Sequence, residues 1–308
     1  MLTTDRRSFC KTLVPAIGSA FFLPRIDQLD PPQTISTAQL ADLRMQLLTM
    51  INEERDLEGV SRVDIDDLAT QVATAHAQDM AQKNFASHWG SDGRKPYHRY
   101  SFAGGIHATE ENVSSTNNTW SLKPADLRQD VAYLHVRLYG ENPPNDGHRR
   151  AILAPQHTHV GFGIAVEELR LRVVELFVAK HLEVAPVPRT TNRGATFELS
   201  GKVITPELNL AQIQLFYEPL PTPPALSWLQ TTRSYGLPDD FVTLRIKLRN
   251  PLKYIDGTNG VFDTDGRNFH VPIHFFRTTA GIYTIACWVR KERTEKPFIA
   301  AEICIRTD

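Results

Sequence analysis

The chain has 308 residues, a formal net charge of −1 and 41% hydrophobic residues. That balance supplies a core for one large or two medium domains. It excludes broad electrostatic attraction to nucleic acid or to an anionic membrane surface.

The first residues read as a targeting segment. Arg6 and Arg7 precede Ser8-Phe9-Cys10-Lys11 and an apolar run from Thr12 to Leu23. A charged start followed by a short apolar stretch is the pattern of an export signal, and adjacent arginines point to the twin-arginine route. The run is shorter than the roughly 20 residues of a membrane-spanning helix. Residues 1–30 are therefore set aside as a signal. They imply a periplasmic or extracellular location, with membrane contact only through an uncleaved signal.

Leu40, Leu43, Leu47 and Ile51 recur at helical spacing and Gly59 supplies a stop. A second helix is predicted over "DIDDLATQVATAHAQDMAQKN", with Leu68, Val72, Ala75 and Met80 on its apolar face, and a third from Pro124 to Tyr139. "HVGFGIAVEE" and "LRLRVVELFVAK" read as paired strands. Helices followed by a hairpin predict an α+β domain over residues 31–183. Proline, threonine and glycine interrupt the pattern at "EVAPVPRTTNRG", so 184–194 reads as a linker. Beyond it, "FELSGKVI", "AQIQLFYE", "FVTLRIKLR", "HVPIHFFR", "GIYTIACWV" and "FIAAEICIR" are short strand candidates, which predicts an all-β, immunoglobulin-like sandwich over 195–308. Cys287 and Cys304 flank its last hairpin and are expected to form a disulfide in an oxidising compartment.

Chemistry concentrates before the linker. His88 stands in "FASHWGSDG"; Glu110 and Glu111, then Glu141, Asp146 and His148, then His157 and His159, offer imidazoles and carboxylates downstream. Gathered in one cleft, such groups suit a divalent cation such as zinc. No HExxH, phosphate loop, dinucleotide fingerprint or Gly-x-Ser-x-Gly elbow occurs. His76, His98, His107, His157 and His159 read as structural, and Tyr97 and Arg99 as braces of the loop after Asp92-Gly93.

"LLTMINEERDLEGV", "LATQVATAHAQDMAQKNFASHWGSDG", "EENVS", "GHRRAILAPQHTHVGFGIAV" and "VVELFVAK" stand in the order and at the intervals of one family. Over residues 40–181 the chain resembles the CAP superfamily, or SCP domain, named for cysteine-rich secretory proteins, antigen five and pathogenesis-related proteins. The resemblance implies an α-β-α sandwich with a central antiparallel sheet, and a surface cavity lined by two histidines and two acids. It matches His88, Glu111 and His148 to three corners. For the fourth, Glu141 is best positioned and Asp146 second, because the tryptophan that precedes this acid in many members is missing here.

The expectation is a non-catalytic exported module. Its cavity of His88, Glu111, Glu141 and His148 would bind a divalent cation (zinc or magnesium, through His88 and His148), or a small lipid-like or peptide ligand. The sandwich would meet a protein or cell-surface partner, or pack over part of the cleft. The alternative is an extracytoplasmic, peptidase-like hydrolase using the same cavity, with His88 or His148 as base toward a metal-bound water or toward Ser87 or Ser114.

Overall fold

Seven helical and strand segments precede the predicted hairpin in the computed structural model, which describes residues 35–119, 122–292 and 294–308. The expected export signal, Arg6, Arg7 and Cys10 lie outside the described residues. Among those described, no helix is long and apolar enough to cross a membrane.

Helix α1 (Thr37–Leu57) opens with a capping box in which Ser36 and Gln39 exchange side-chain and main-chain hydrogen bonds. It buries Leu43, Leu47 and Ile51, and Gly59 follows at φ 68°. Strand β1 (Asp64–Ile65) leads into α2 (Asp67–Lys83), whose first turn is capped by the carboxylate of Asp66. The buried face of α2 is only partly the predicted one: Val72 and Met80 are buried and Leu68 packs beside them, but Ala75 is exposed and Ala69, Ala73 and Ala77 take the inward positions. The cause lies in β3 (His159–Glu167). A Cβ at Gly161 would sit 2.2 Å from the main chain of Ala69 and Thr70, and one at Gly163 would sit 2.0 Å from the Ala73 carbonyl. Two glycines thus let the helix lie directly on the strand, and the small residues mark that contact.

Strand β3 turns at Glu168 into β4 (Arg170–Ala179), and β2 (Ala108–Thr116) pairs antiparallel with β4, giving the sheet order β1-β3-β4-β2. One face carries α2 and the short helix α3 (Pro96–Phe102); the other carries α1, α4 (Pro124–Tyr139) and α5 (Gly147–Leu153). This is the α-β-α sandwich. Strand β2 is its edge, so its outward N–H and C=O groups need partners from elsewhere.

The second half is a two-sheet sandwich. Strands β5 (Leu182–Val184), β7 (Thr196–Val203) and β10 (Asn268–His274) form one sheet. The other holds β6 (Thr190–Thr191), β8 (Asn209–Pro219), β9 (Phe241–Leu244), β11 (Gly281–Arg290) and β12 (Phe298–Thr307). Leu199, Ile213, Val271, Ile285 and Ile303 pack between them. A short helix, α6 (Leu226–Leu229), follows β8.

Residues Ile35–Asp308 form one compact unit. The segment expected as a linker is pinned within it: β6 pairs with the end of β12, and Arg189 donates to Ser101 Oγ and to the carbonyls of Gly104 and Gly105. The two halves also meet through Glu218, which receives Tyr97, His98 and Lys95 at 2.8, 3.1 and 2.8 Å.

The expected Cys287–Cys304 disulfide is not formed; both thiols are free and buried. Cys287 pairs across the strands with Ala301, and Cys304 with Thr284. Positions 284 and 287 differ by an odd number, so the two side chains point to opposite faces of the sheet. Cys287 packs inside the sandwich, whereas Cys304 packs outward beside Tyr97 of α3.

Candidate functional site

The cavity lies along the open edge of β2. His88 follows α2 in the loop braced by Arg99, whose guanidinium donates to the carbonyls of His88 and Arg94 at 2.8 and 2.9 Å. The same guanidinium reaches Glu111 Oε2 at 2.5 Å, and His88 Nδ1 lies 3.0 Å from Glu111 Oε1. Burial pushes the Glu111 carboxyl upward, but Arg99, His76 and the His88 hydrogen bond outweigh it and hold the group down at about 2. An ionised carboxylate only accepts, so His88 carries its proton on Nδ1 and offers Nε2 as a lone pair.

His148 stands near the start of α5 and is held the same way. Its Nδ1 lies 2.6 Å from Glu141 Oε1, and its main-chain N–H donates to Glu141 Oε2 at 3.0 Å. Asp146 instead pairs with Arg150 at 3.3 Å, so Glu141 is the acid on this histidine. The two rings have centroids 6.5 Å apart with an interplanar angle of 32°. All four residues named from the sequence, His88, Glu111, Glu141 and His148, line one cavity of about 640 Å³. A second cavity of about 300 Å³ shares His88, Glu141 and His148 with it.

Both imidazoles therefore have an Nε2 lone pair and a carboxylate on Nδ1, the arrangement that orients metal-binding histidines. The donor types suit zinc. Among the described residues, however, no group of three or more His, Cys, Asp or Glu side chains is placed to hold a metal ion. A cation here would have two protein ligands and complete its shell with water.

Three contributors were not singled out from the sequence. Tyr235, between α6 and β9, lays its ring 4.8 Å from that of His88, and its hydroxyl accepts the Glu111 N–H at 2.8 Å. Glu302 of β12 accepts the Thr109 N–H at 3.0 Å and lines the same cavity. These side chains from the second half cover two outward N–H groups of the β2 edge. His135, the third, lies behind the site, fully buried between Glu54 (2.9 Å) and Glu175 (2.6 Å). Burial alone would lower its pKa, yet the two carboxylates raise it to about 10. Glu175 also receives Asn112 Nδ2 at 3.1 Å, and the same amide nitrogen donates to the His148 carbonyl at 3.2 Å. A buried imidazolium thus anchors the chain that carries His148.

The remaining histidines divide. His76 is buried, bonds the Ser87 carbonyl at 2.8 Å and is lowered to about 4, mainly by burial. His98 serves Glu218, and His159 bonds the neighbouring Thr158 hydroxyl. His157, read as structural, stands on the cavity wall. Neither serine has an activating partner: the Ser87 hydroxyl accepts the Trp89 N–H, and the Ser114 hydroxyl is buried without a hydrogen bond among the described residues.

Part of the chain is similar to known proteins. Residues 48–177 match the cysteine-rich secretory protein family, CAP. The chain is 25% identical over 131 residues to the uncharacterized protein YkwD of Bacillus subtilis (strain 168), covering 42% of this chain and 45% of that one. It thus spans less than half the length of this curated relative. An extracellular protein containing a SCP domain from Bacillus anthracis is 20% identical, with coverage of 46% and 41% and a TM-score of 0.34. An outer surface protein from Borrelia burgdorferi is 17% identical, with coverage of 46% and 92% and a TM-score of 0.35.

Proposed function

Residues 48–177 form a domain of the cysteine-rich secretory protein (CAP) family, and from that premise we propose that the protein is an exported binding module. Its cavity takes a small polar or peptide ligand, with or without a divalent cation held by the Nε2 atoms of His88 and His148. The observation that carries this reading is the facing pair of imidazoles, each fixed through Nδ1 by its own carboxylate. Zinc suits imidazole donors better than magnesium, which prefers oxygen. A lipid-like ligand fits less well, because its apolar surface would desolvate Glu110, Glu141 and Arg150 on the wall.

Catalysis by a serine is disfavoured by the hydroxyls of Ser87 and Ser114, which no imidazole bonds among the described residues. The hydrolase alternative keeps one support: a carboxylate-oriented imidazole is also the geometry of a general base. Its substrate would then meet a cation-bound water rather than a protein nucleophile.

Two features of the sequence and fold support work outside the cytoplasm: the signal-like start of the chain and the sandwich appended to the family domain. Calorimetric zinc titration of the wild type and of His88→Ala tests the cation. Heat of binding in the wild type and its loss in the variant are expected; equal, negligible heats in both would remove the cation from the account.

A further inference from the structure

Part of the wall of the larger cavity is made of acceptors. Glu110 comes from β2, His157 from the loop before β3 and Glu302 from β12. His157 is only 4% exposed and stacks on Phe177 with centroids 5.2 Å apart. Its Nδ1 lies 2.9 Å from the Ala151 carbonyl, an acceptor, so Nδ1 carries the proton and Nε2 presents a lone pair. That Nε2 makes no hydrogen bond among the described residues. It faces Glu110 Oε2 at 3.5 Å, so one acceptor looks at another with no proton between them.

Glu302 repeats the pattern. It is 6% exposed and lines the cavity, and among the described residues its side chain receives one hydrogen bond, from the Thr109 N–H. No lysine or arginine among the described residues stands at ion-pair distance from it or from Glu110. Arg150, which also lines the cavity, is engaged by Asp146 and acts on Glu110 only through its field. Among the described residues, the Thr109 hydroxyl is buried there without a hydrogen-bond partner. Burial and the charge of Glu110 push Glu302 up to about 7, while the Glu110 side chain stays 45% exposed. Burial also keeps His157 neutral, at about 4. Glu302, taken from water without a cation, is costly to ionise, and a ligand that brings the missing charge and donors would recover that cost, with the half-exposed Glu110 side chain beside it.

We propose that Glu110, His157 Nε2 and Glu302 form a subsite for a primary ammonium group of a peptide. Three N–H donors on one positive centre match two carboxylates and one imidazole lone pair. The subsite is composite, because Glu302 belongs to the sandwich and the other two to the family domain; neither half alone would hold the ligand. The inference rests on reading the cavity as a ligand site and does not require a cation on His88 and His148.

The test uses the protein carrying residues 31–308 and four probes, with affinities followed by NMR titration. N-acetyl-lysine methylamide presents a side-chain ammonium and alanine methylamide a chain-terminal one. N-acetyl-norleucine methylamide removes the charge, and the trimethylated lysine analogue removes the N–H donors. One of the two primary ammonium probes is expected to bind at least tenfold more tightly than both controls, and which one does so identifies its source. Glu302→Gln, which keeps an oxygen for the Thr109 N–H, should weaken that binding tenfold or more, and Glu110→Gln should do the same. Equal affinity for the lysine and norleucine probes, absence of binding by either primary ammonium, or unchanged affinity in both variants would overturn the proposal. Zinc titrations on the same samples separate the two readings: zinc heat that survives Glu302→Gln belongs to the imidazole end, whatever the ammonium probes do.

Discussion

The Tyr235 hydroxyl accepts the main-chain N–H of Glu111 at 2.8 Å, and the two residues are 124 positions apart. A residue of the carboxy-terminal half therefore completes the wall of a cavity built by the amino-terminal one. Tyr235→Phe keeps the ring beside His88 and removes only that acceptor. Leaving a buried N–H unsatisfied costs about 1–3 kcal/mol, so the variant should unfold at lower urea concentration with an unchanged slope. An identical midpoint would mean that the contact is dispensable.

His135 predicts an alkaline loss of stability. Its folded pKa of about 10 lies above the ordinary value of 6.5. The stabilisation is thus complete below pH 6.5 and disappears as pH rises through about 10. His135→Gln should cost about 3–5 kcal/mol at neutral pH, the penalty for breaking a buried pair. It should also flatten the decline between pH 7 and 10. Thermal unfolding of both proteins across that range checks the sign as well as the size.

Glu218 predicts the opposite limb. Burial raises its carboxyl, but His98 and Lys95 hold it down at about 2, below the ordinary 4.5. Its contribution is present above pH 4.5 and is lost as pH falls through about 2. At 1.36 kcal/mol per unit this amounts to roughly 3 kcal/mol. Acid denaturation of Glu218→Gln should begin from a lower plateau and show a shallower slope between pH 4.5 and 2.

The cysteines make a chemical prediction. Burial pushes both the Cys287 and Cys304 thiols up to about 12, so neither is a thiolate at neutral pH. Iodoacetamide should leave both unlabelled in the native protein and alkylate both in denaturant without reductant. In the protein carrying residues 31–308, which leaves out Cys10, a mass unchanged after denaturing alkylation would reveal a disulfide and refute the opposite-face register.

Much of the frame was readable because burial follows periodicity. Leu43, Leu47 and Ile51 mark α1, and Val, Ile and Phe mark β3, β4 and six of the eight strands of the sandwich. The sequence places Ala75 on the inward face of α2, but Gly161 and Gly163, some ninety residues away, decide that Ala69, Ala73 and Ala77 meet the sheet there instead. Strand β2 was not assigned because "ATEENVSST" lacks apolar alternation; an edge strand bordering a polar cavity has no need of it. His88, Glu111 and His148 could be named through resemblance. Tyr235 and Glu302 could not, since their role arises only where the sandwich docks on the β2 edge. The disulfide failed for a simpler reason: two cysteines flanking a hairpin bond only if their registers agree.

The central claim is that His88 and His148 act together, each presenting Nε2 to one space. Nitrogen-detected NMR of the histidine rings during zinc addition tests it directly. The account predicts that, before zinc, both rings carry their proton on Nδ1, and that both Nε2 signals shift together and saturate at one equivalent. Glu141→Gln should weaken that binding about 10–100-fold by releasing the His148 ring. Rings protonated on Nε2, or shifts at one histidine independent of the other, would contradict it.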